Sequence, residues 1–237
     1  MTLVVAPCSH EAVKWAVEHW HYSQRMPSGK LARFGAWEDD RYIGAVIFGS
    51  GANQHMLRPY GLDQIEGCEL VRIALDRHTT PVSQIVARTL RTLKTTNPGL
   101  RLVVSFADPK EGHHGGIYQA ANWVYTGETT RATAFVVNGE QIHSRTLGHL
   151  RTAAGAKSGG QLEWLRLNVD PDAEIVSTIP KHRYVFPLDR RMRKQVAPLA
   201  LPYPHADEDS RGSRLGSTEE GRVRSPASAP TVSRVRS

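Results

Sequence analysis

The sequence predicts a mixed α/β fold in which a mostly antiparallel central sheet is flanked by helices. Short apolar runs read as strands, and they are interleaved with stretches whose apolar residues recur at helical spacing. Tight turns join neighbouring strands into antiparallel hairpins. Residues 102–127 follow the order strand, loop, helix, strand, so helices must also connect parts of the sheet.

The length and composition predict one domain followed by a tail. A chain of 237 residues is long enough for one domain with a substantial core. We expect this domain to span residues 1–200, because from residue 201 onward Ser, Arg, Pro, Gly and acidic residues dominate. Such a segment has too little apolar surface to bury, so residues 201–237 are predicted to be disordered.

Two features of the sequence predict a soluble, intracellular protein. Cys8 and Cys68 form neither a paired framework nor a CxxC motif, which indicates reduced thiols. The apolar patch at the N-terminus lacks a preceding basic region and reads as a first strand rather than a signal peptide. No run approaches the ~20 apolar residues of a membrane span, so no membrane partner is expected.

The net charge of +7 and the pI near 9.6 favour an anionic partner such as nucleic acid. Residues 203–237 contain six Arg against five Asp and Glu, a net of +1. The remaining +6 therefore belongs to residues 1–202, the part predicted to fold. Ordinary solubility is the alternative explanation of this charge.

The first helix is predicted over residues 10–20. Ser9 can cap it, and Val13, Val17 and Trp20 lie on one apolar stripe. The helical pattern then gives way to an irregular loop rich in aromatic and histidine side chains, with His21 and Tyr22 at its start. Such a loop is either a packed corner or part of a site.

A hairpin and a buried strand follow. Residues 34–38 and 42–48 read as the hairpin, and residues 68–75 are nearly continuous apolar sequence interrupted by Glu69 and Arg72. Because side chains alternate along a strand, we expect these two charges on opposite faces, where they cannot neutralise each other. Arg72 is therefore predicted to face a ligand, with a salt bridge to Asp76 as the alternative.

The second helix is predicted over residues 81–94, with Thr79 or Thr80 as its N-cap and Pro81 as its first residue. The N-terminus of a helix attracts anions because its amide groups point outward. The hydroxyl of Ser83 would add another donor there.

Residues 102–127 carry the strongest functional signal. A buried strand over 102–106 ends at Asp108-Pro109, because proline removes a ladder donor. Asp108 thus follows a strand end, where open α/β sheets place ligands. A short helix bearing Tyr118 and a strand over 123–127 come next. The alternatives are that Asp108 only forms a turn and that Tyr118 is only a core residue.

The C-terminal part of the domain is predicted to contain a second hairpin and a last strand. Residues 134–137 and 141–145 flank the turn dipeptide Asn138-Gly139. Residues 148–161 read as a polar, basic insertion that includes Arg151 and Lys157, and residues 181–186 as the final strand. A basic segment, residues 190–194, follows this strand.

The 102–127 region is similar to the closing half of the GNAT acyltransferase fold, in which a tyrosine-bearing helix runs into an aromatic-initiated strand. The closer resemblance is to the phage Mom family, GNAT-like proteins that convert adenine in DNA to an N6-carbamoylmethyl derivative. Five short segments between about residues 15 and 190 carry this resemblance together, in the family's order. They are His21-Tyr22-Ser23, Glu69-Leu70-Val71-Arg72, Pro81-Val82-Ser83, Ser105-Phe106-Ala107-Asp108-Pro109 and Gly116-Ile117-Tyr118-Gln119-Ala120.

The resemblance implies an enzyme of the host bacterial cell's cytoplasm that modifies adenine N6 in double-stranded DNA and protects that DNA from restriction. Asp108 is then expected to orient the amine and take up its proton, and Tyr118 to act as general acid towards the donor's departing group. Arg72 would hold an anionic part of the donor or the DNA, and His21 and Tyr22 would approach the same cleft. The expected contacts to the DNA backbone are Arg183, Arg190, Arg191, Arg193 and Lys194.

The resemblance also implies an activated acyl donor. Acetyltransferases bind a pyrophosphate at a glycine-rich turn, and Val82 and Ser83 occupy the corresponding place here. Residues 78–83 contain no glycine, which argues against ordinary coenzyme A binding. Iron has been proposed for Mom-like proteins, and the candidate ligands in this chain are His21, Tyr22, Asp108 and Tyr118.

Two other functions remain open from the sequence. A coenzyme A-dependent GNAT N-acetyltransferase acting on a protein or small amine would share the fold and Tyr118. A DNA-binding accessory protein without catalysis would share the basic charge.

Overall fold

The computed structural model describes residues 2–51, 53, 55–155 and 160–205, which form two compact units. The larger unit holds residues up to 107, 112–127 and from 182 onward; the smaller holds residues 108–111 and 128–181. The elements in chain order are β1 (Leu3–Pro7), α1 (His10–Trp20), β2 (Leu31–Glu38), β3 (Arg41–Gly49), β4 (Gly67–Leu75), α2 (Val82–Thr96), β5 (Leu102–Ala107), α3 (Gly116–Ala120), β6 (Val124–Glu128), β7 (Thr133–Val137), β8 (Glu140–His143), α4 (Ser144–Ala153), α5 (Gln161–Asn168), β9 (Glu174–Ser177), β10 (His182–Pro187) and α6 (Arg190–Val196).

The larger unit is built on a seven-stranded sheet in the order β1-β2-β3-β4-β5-β10-β6. The pairings β1–β2, β2–β3, β3–β4 and β5–β10 are antiparallel, whereas β4 and β5 run parallel. Helices cover the sheet, and the predicted mixed α/β class with a mostly antiparallel central sheet is confirmed.

Each face of this sheet is covered by different helices. On one face, α2 and α3 pack against a core that includes Leu90, Trp123 and Tyr184. On the other face, α1 packs over β2, β3 and β4 through Val13 and Val17. Further along that face, α6 covers β5 and β10. Burial of these apolar stripes is the main contribution to stability.

A register shift between β3 and β4 corrects the prediction for Glu69 and Arg72. Ile47 pairs with Arg72 and Phe48 pairs with Leu70, so Val71 is an extra residue. Leu70 and Ile73 face the α2 side, whereas Val71 and Ala74 face the α1 side. The extra residue interrupts the alternation, as in a β-bulge. Glu69 and Arg72 therefore lie on the same face, not on opposite faces.

The smaller unit contains a three-stranded antiparallel sheet, β8-β7-β9, with the two helices α4 and α5. The predicted strand over 141–145 ends at His143, and residues 148–153 and 161 of the predicted insertion are helical. The reason is a small core in which Leu147 and Leu165 are buried against Phe135 and Val137. A few apolar residues suffice to dock a largely polar helix. Lys157 lies outside the described residues.

The second helix begins and ends later than predicted, because α2 spans Val82–Thr96 with Pro81 at its N-cap and no side-chain capping bond. The backbone N–H groups of Thr79 and Thr80 instead donate to the Glu38 carboxylate. None of the helices in the described part of the chain is both long and apolar enough to cross a membrane.

Residues 201–205, the start of the predicted tail, contact the larger unit. The Leu201 amide donates to the Tyr125 carbonyl at 2.9 Å, and the Tyr203 hydroxyl donates to the Trp123 carbonyl at 2.8 Å. The rest of the predicted tail, residues 206–237, lies outside the described residues.

Candidate active site

The sheet of the larger unit opens between β4 and β5. These strands pair only over three positions, the last of which joins Glu69 to Val104. Beyond that point, the Leu70 carbonyl would be left without a strand partner, and the Ser105 hydroxyl donates to it at 3.0 Å. A buried carbonyl must find such a donor. The gap is where a ligand can approach the interior of the sheet.

Tyr118 reaches into this gap from α3. Its hydroxyl lies 2.7 Å from Ser105 Oγ. Because a serine hydroxyl has one proton, both bonds form when Ser105 donates to Leu70 and accepts from Tyr118. Burial raises the pKa of Tyr118 to about 12, with Glu69 and Tyr22 adding to the rise and Ser105 opposing it. Tyr118 is therefore a proton donor at neutral pH, and its proton is engaged by Ser105.

The position of α3 depends on a glycine. Gly115 precedes the helix with φ of 90°, a left-handed conformation that side chains disfavour, and any β-carbon there would collide with the Tyr184 ring. The Tyr184 hydroxyl donates to the His114 carbonyl at 2.6 Å. These contacts fix the turn from which Tyr118 projects.

His21 and Tyr22 follow the end of α1. The buried His21 ring stacks on Tyr22 at 4.4 Å between centroids, and its Nδ1 accepts a bond from the Ser23 amide at 3.1 Å. An amide can only donate, so the proton of neutral His21 resides on Nε2. Burial, followed by the charges of Arg72 and His113, lowers the pKa of His21 to about 4. His21 is thus neutral at physiological pH.

His113 belongs to this cluster, although it was not among the residues predicted for the site. Its ring lies 6.2 Å from that of Tyr22, and its charge is close enough to act on His21. Tyr22 itself is 65% exposed, which leaves a ring free for stacking. The signal for His113 was its place in a histidine- and glycine-rich loop directly after the Asp-Pro turn.

Arg72 carries an unsatisfied donor on the same side of the sheet. Its Nη1 donates to the Val71 carbonyl at 2.7 Å, but its buried Nε has no hydrogen-bond partner among the described residues. Asp76, the alternative partner of Arg72, forms an ion pair with Arg77 instead, with 3.6 Å between Arg77 Nε and Asp76 Oδ2. Buried donors are rarely left unpaired, so this one is suited to an anionic or carbonyl oxygen of a ligand.

Asp108 belongs to the smaller unit. Its Oδ2 lies 2.6 Å from Lys181 Nζ, and its Oδ1 accepts a bond from the Lys110 amide at 3.1 Å. The carboxylate is 21% exposed, and each oxygen keeps a second lone pair for another donor. Arg72, Tyr118, His21 and Tyr22 come together in the larger unit, whereas Asp108 is held by its own turn and by Lys181.

The residues before α2 do not fit the diphosphate of coenzyme A. Glu38 is 3% exposed and accepts bonds from the amides of Thr79 at 3.0 Å and Thr80 at 2.6 Å. Burial opposes its ionisation, but these bonds and the charge of Arg41 outweigh burial and hold the pKa of Glu38 below its usual value. A negative charge of the chain itself therefore occupies the amides that precede Val82 and Ser83.

The fit to iron is also poor. Within the part of the chain that the structure describes, no three His, Cys, Asp or Glu side chains come together in a group that could hold a metal ion. Of the four predicted ligands, Tyr118 is bonded to Ser105 and Asp108 to Lys181. The four predicted ligands therefore do not fit an iron site in the described residues.

The predicted DNA contacts differ in accessibility. Arg183 is held by Thr126, donating from Nε to the hydroxyl at 3.1 Å and from Nη2 to the carbonyl at 2.9 Å. The four basic side chains of α6 are exposed, while Met192 and Val196 anchor that helix in the core. Asp189 caps it by accepting from the Met192 amide at 2.6 Å. The exposed side chains are Arg190, Arg191, Arg193 and Lys194.

Comparison with known proteins places this geometry in a family. Methylcarbamoylase mom of Escherichia phage Mu is 27% identical over 191 residues, covering 78% of this chain and 76% of that protein. Among solved structures, an N-acetyltransferase from Staphylococcus aureus Mu50 matches at 10% identity and a TM-score of 0.43, covering 79% of this chain and 99% of that one. Spermidine N-acetyltransferase from Vibrio cholerae, in complex with CoA and spermine, matches at 11% identity and a TM-score of 0.43, covering 78% and 95%. The Mom protein family itself matches residues 2–205. This chain belongs to the Mom protein family.

Proposed function

We propose that this protein transfers a carbamoylmethyl group to N6 of adenine in double-stranded DNA and so protects that DNA from restriction. The observation that carries the proposal is the family match over residues 2–205, supported by the phage relative named as a methylcarbamoylase. The geometry of the site supports the roles proposed for individual residues in such a reaction.

The chemistry requires a base. The lone pair of the adenine amine is delocalised into the ring, so the amine is a poor nucleophile. As its nitrogen bonds to the donor carbon, one N–H proton must leave, and the departing group keeps the electron pair of the broken bond. Asp108 supplies a carboxylate that can accept this proton, and Lys181 holds it in place.

The residues of the larger unit supply the other roles. Tyr118 is a protonated phenol at neutral pH, and it can donate to the departing group by turning its hydroxyl proton away from Ser105. Arg72 has a free donor for an anionic or carbonyl oxygen. The exposed ring of Tyr22, backed by His21, offers a surface on which a base can stack.

The DNA backbone is assigned to α6. Its exposed cations lie on a short helix that is anchored by Met192 and Val196, so their charges are presented together. Phosphate contacts of this kind supply affinity independent of sequence. Arg183, which is held by Thr126, would act as a fixed contact rather than a mobile one.

The donor is an activated acyl compound, and one observation argues against coenzyme A bound in the acetyltransferase manner. Glu38 already occupies the amides in front of α2, and a diphosphate there would meet a buried negative charge. This observation weighs against the N-acetyltransferase alternative.

The test is nucleoside mass spectrometry of DNA from cells that express the full chain. The expected result is carbamoylmethyladenine with the wild type and with the control Asp172→Asn, an exposed carboxylate of the same unit. Asp108→Asn should lower the rate by a factor on the order of 10²–10⁴, because it removes the proton acceptor at nearly constant shape. Unmodified adenine with soluble wild type would refute the function. Normal modification by Asp108→Asn would remove its role as base, and an intact cellular effect without any modification would favour the accessory protein.

A further inference from the structure

The smaller unit contains a pocket beside Asp108. Its volume is about 170 Å³, and its walls come from β7, β8 and the segment that leads to Lys181. Pockets for drug-sized ligands typically measure ~300–1,000 Å³. A pocket of this size suits a fragment such as a single heterocyclic base or a small acid. The residues that line the pocket include Asp108, Ala134, Gln141, Thr178, Ile179 and Lys181.

The polar groups of the pocket form pairs that satisfy one another. Lys181 Nζ lies 2.6 Å from Asp108 Oδ2, and Lys110 Nζ donates to Gln141 Oε1 at 2.9 Å. The pocket thus presents a carboxylate, an amide and ammonium groups around its rim. A ligand that both donates and accepts hydrogen bonds can replace one member of such a pair as the partner of the other. No charged group is then left without a partner.

The apolar groups of the pocket form its remaining walls. Ala134 is buried in β7, whereas Ile179 is 52% exposed and forms an apolar edge. An exposed isoleucine beside charged groups is suited to contact the face of a planar ring. A simple anion would gain little from such a wall and would also face the Asp108 carboxylate.

We infer that this pocket receives the adenine base after it has been extruded from the duplex. The inference rests on the proposed function and names the site of its substrate. The exocyclic amine would donate to Asp108, and a ring nitrogen would accept from Lys181. Gln141 would use its amide on the same edge, a pairing that glutamine makes with adenine. Enzymes that act on a base read its hydrogen-bonding edge and hold its faces between side chains in this way.

The experiment uses the full chain and 9-methyladenine as probe, followed by NMR of ¹⁵N-labelled protein. Binding should shift the amide signals of Gln141, Thr178 and Ile179. A probe whose N6 carries two methyl groups should bind weaker by a factor on the order of ten or more, because it cannot donate to Asp108. Ile179→Trp should abolish the shifts by filling the pocket.

The matched control is Ile175→Trp. Ile175 belongs to the same unit and is 58% exposed, but it does not line the pocket. This variant should bind 9-methyladenine as the wild type does, and both tryptophan variants should unfold at the wild-type temperature. Equal binding by Ile179→Trp would overturn the inference. So would the absence of binding by a wild type that modifies DNA, since the proposed function would then stand without this pocket. If 9-methyladenine bound in the pocket but the protein modified no DNA, the proposed function would be refuted. The assignment of the pocket as an adenine site would still stand.

Discussion

At the residue scale, the hydroxyl chain from Tyr118 through Ser105 to Leu70 shows how side chains replace backbone pairing. Ser105 accepts one bond and donates the other, so neither the phenol nor the carbonyl is left unpaired. Ser105 is therefore a positioning residue for Tyr118. It also closes the sheet locally at the point where β4 and β5 separate.

This arrangement predicts unequal losses of stability. Ser105→Ala should lower the free energy of unfolding by about 1–3 kcal/mol, because it leaves a buried donor and a buried acceptor unpaired. Tyr118→Phe should cost less, since Ser105 can still donate to Leu70. Urea unfolding of both variants and of the double variant measures the difference and the coupling between the two sites. Equal losses would contradict the assigned direction of the bonds.

His21 predicts a pH dependence of stability. Its pKa in the folded protein is about 4, below its ordinary value of 6.5, so the unfolded chain binds a proton first as pH falls. Its contribution is therefore complete above pH 6.5 and is lost as pH falls from 6.5 towards 4. His21→Gln should reduce the loss of unfolding free energy between pH 7 and 5 by about 2 kcal/mol. Urea titrations of wild type and His21→Gln at the two pH values measure this difference. The control is His19→Gln, because His19 is exposed.

At the scale of elements, the register shift in β4 decides the chemistry of one face. Because Val71 is an extra residue, Arg72 shares a face with Glu69 and comes near His21 at the end of α1. A regular strand would have turned Arg72 towards α2. The cluster of His21, Tyr22, His113 and Arg72 therefore depends on one inserted residue.

The loop before α2 predicts how the protein responds to coenzyme A. Since Glu38 occupies the amides of Thr79 and Thr80, acetyl coenzyme A should not raise the melting temperature of the wild type. Glu38→Gln should be less stable by about 1–3 kcal/mol, because a charged acceptor of buried amides is lost. Calorimetric scans with and without the ligand are the measurement. Stabilisation of the wild type by acetyl coenzyme A would restore the acetyltransferase alternative.

Helix α6 predicts the salt dependence of DNA binding. Arg190→Glu combined with Arg193→Glu should weaken binding and reduce the slope of log affinity against log salt by up to about 1.8, at about 0.9 for each phosphate contact. The matched control is Arg88→Glu with Arg91→Glu, an exposed pair with the same spacing on α2. Fluorescence anisotropy over a range of salt gives both slopes. A larger effect of the α2 pair would place the DNA on the opposite face of the sheet.

At the scale of the whole molecule, the C-terminal boundary can be tested by truncation. Ending the chain after His205 should preserve the unfolding transition, because residues 206–237 have little apolar surface to bury. Ending it after Pro202 removes the Tyr203 bond to Trp123 and the Pro204 carbonyl that accepts from Gln119. This shorter chain should lose about 0.5–1.5 kcal/mol for each bond. Thermal and urea unfolding of the two truncations distinguish them, and loss of the transition in the longer one would show that the tail contributes to the fold.

The sequence by itself determined the elements of the larger unit. Periodicity identified α1, the first hairpin, the buried strands and the short helix with Tyr118, because each is set by local alternation, capping or a proline stop. The five motif segments pointed to the family because they occur together and in the family's order. Arg72 could be named because a charge in an apolar run is costly without a purpose. Asp108 was named from its place after a strand end, and Tyr118 from the resemblance to the family.

Only the tertiary structure decided which groups meet. Three features join residues on different segments of the chain. They are the register shift at Val71, the bonds from the segment before α2 to Glu38, and the Asp108–Lys181 pair. The helices α4 and α5 were missed because their burial depends on Leu147 and Leu165 meeting strands of the same unit. Local pattern fixes what a segment can form, whereas long-range packing selects the partners of its side chains.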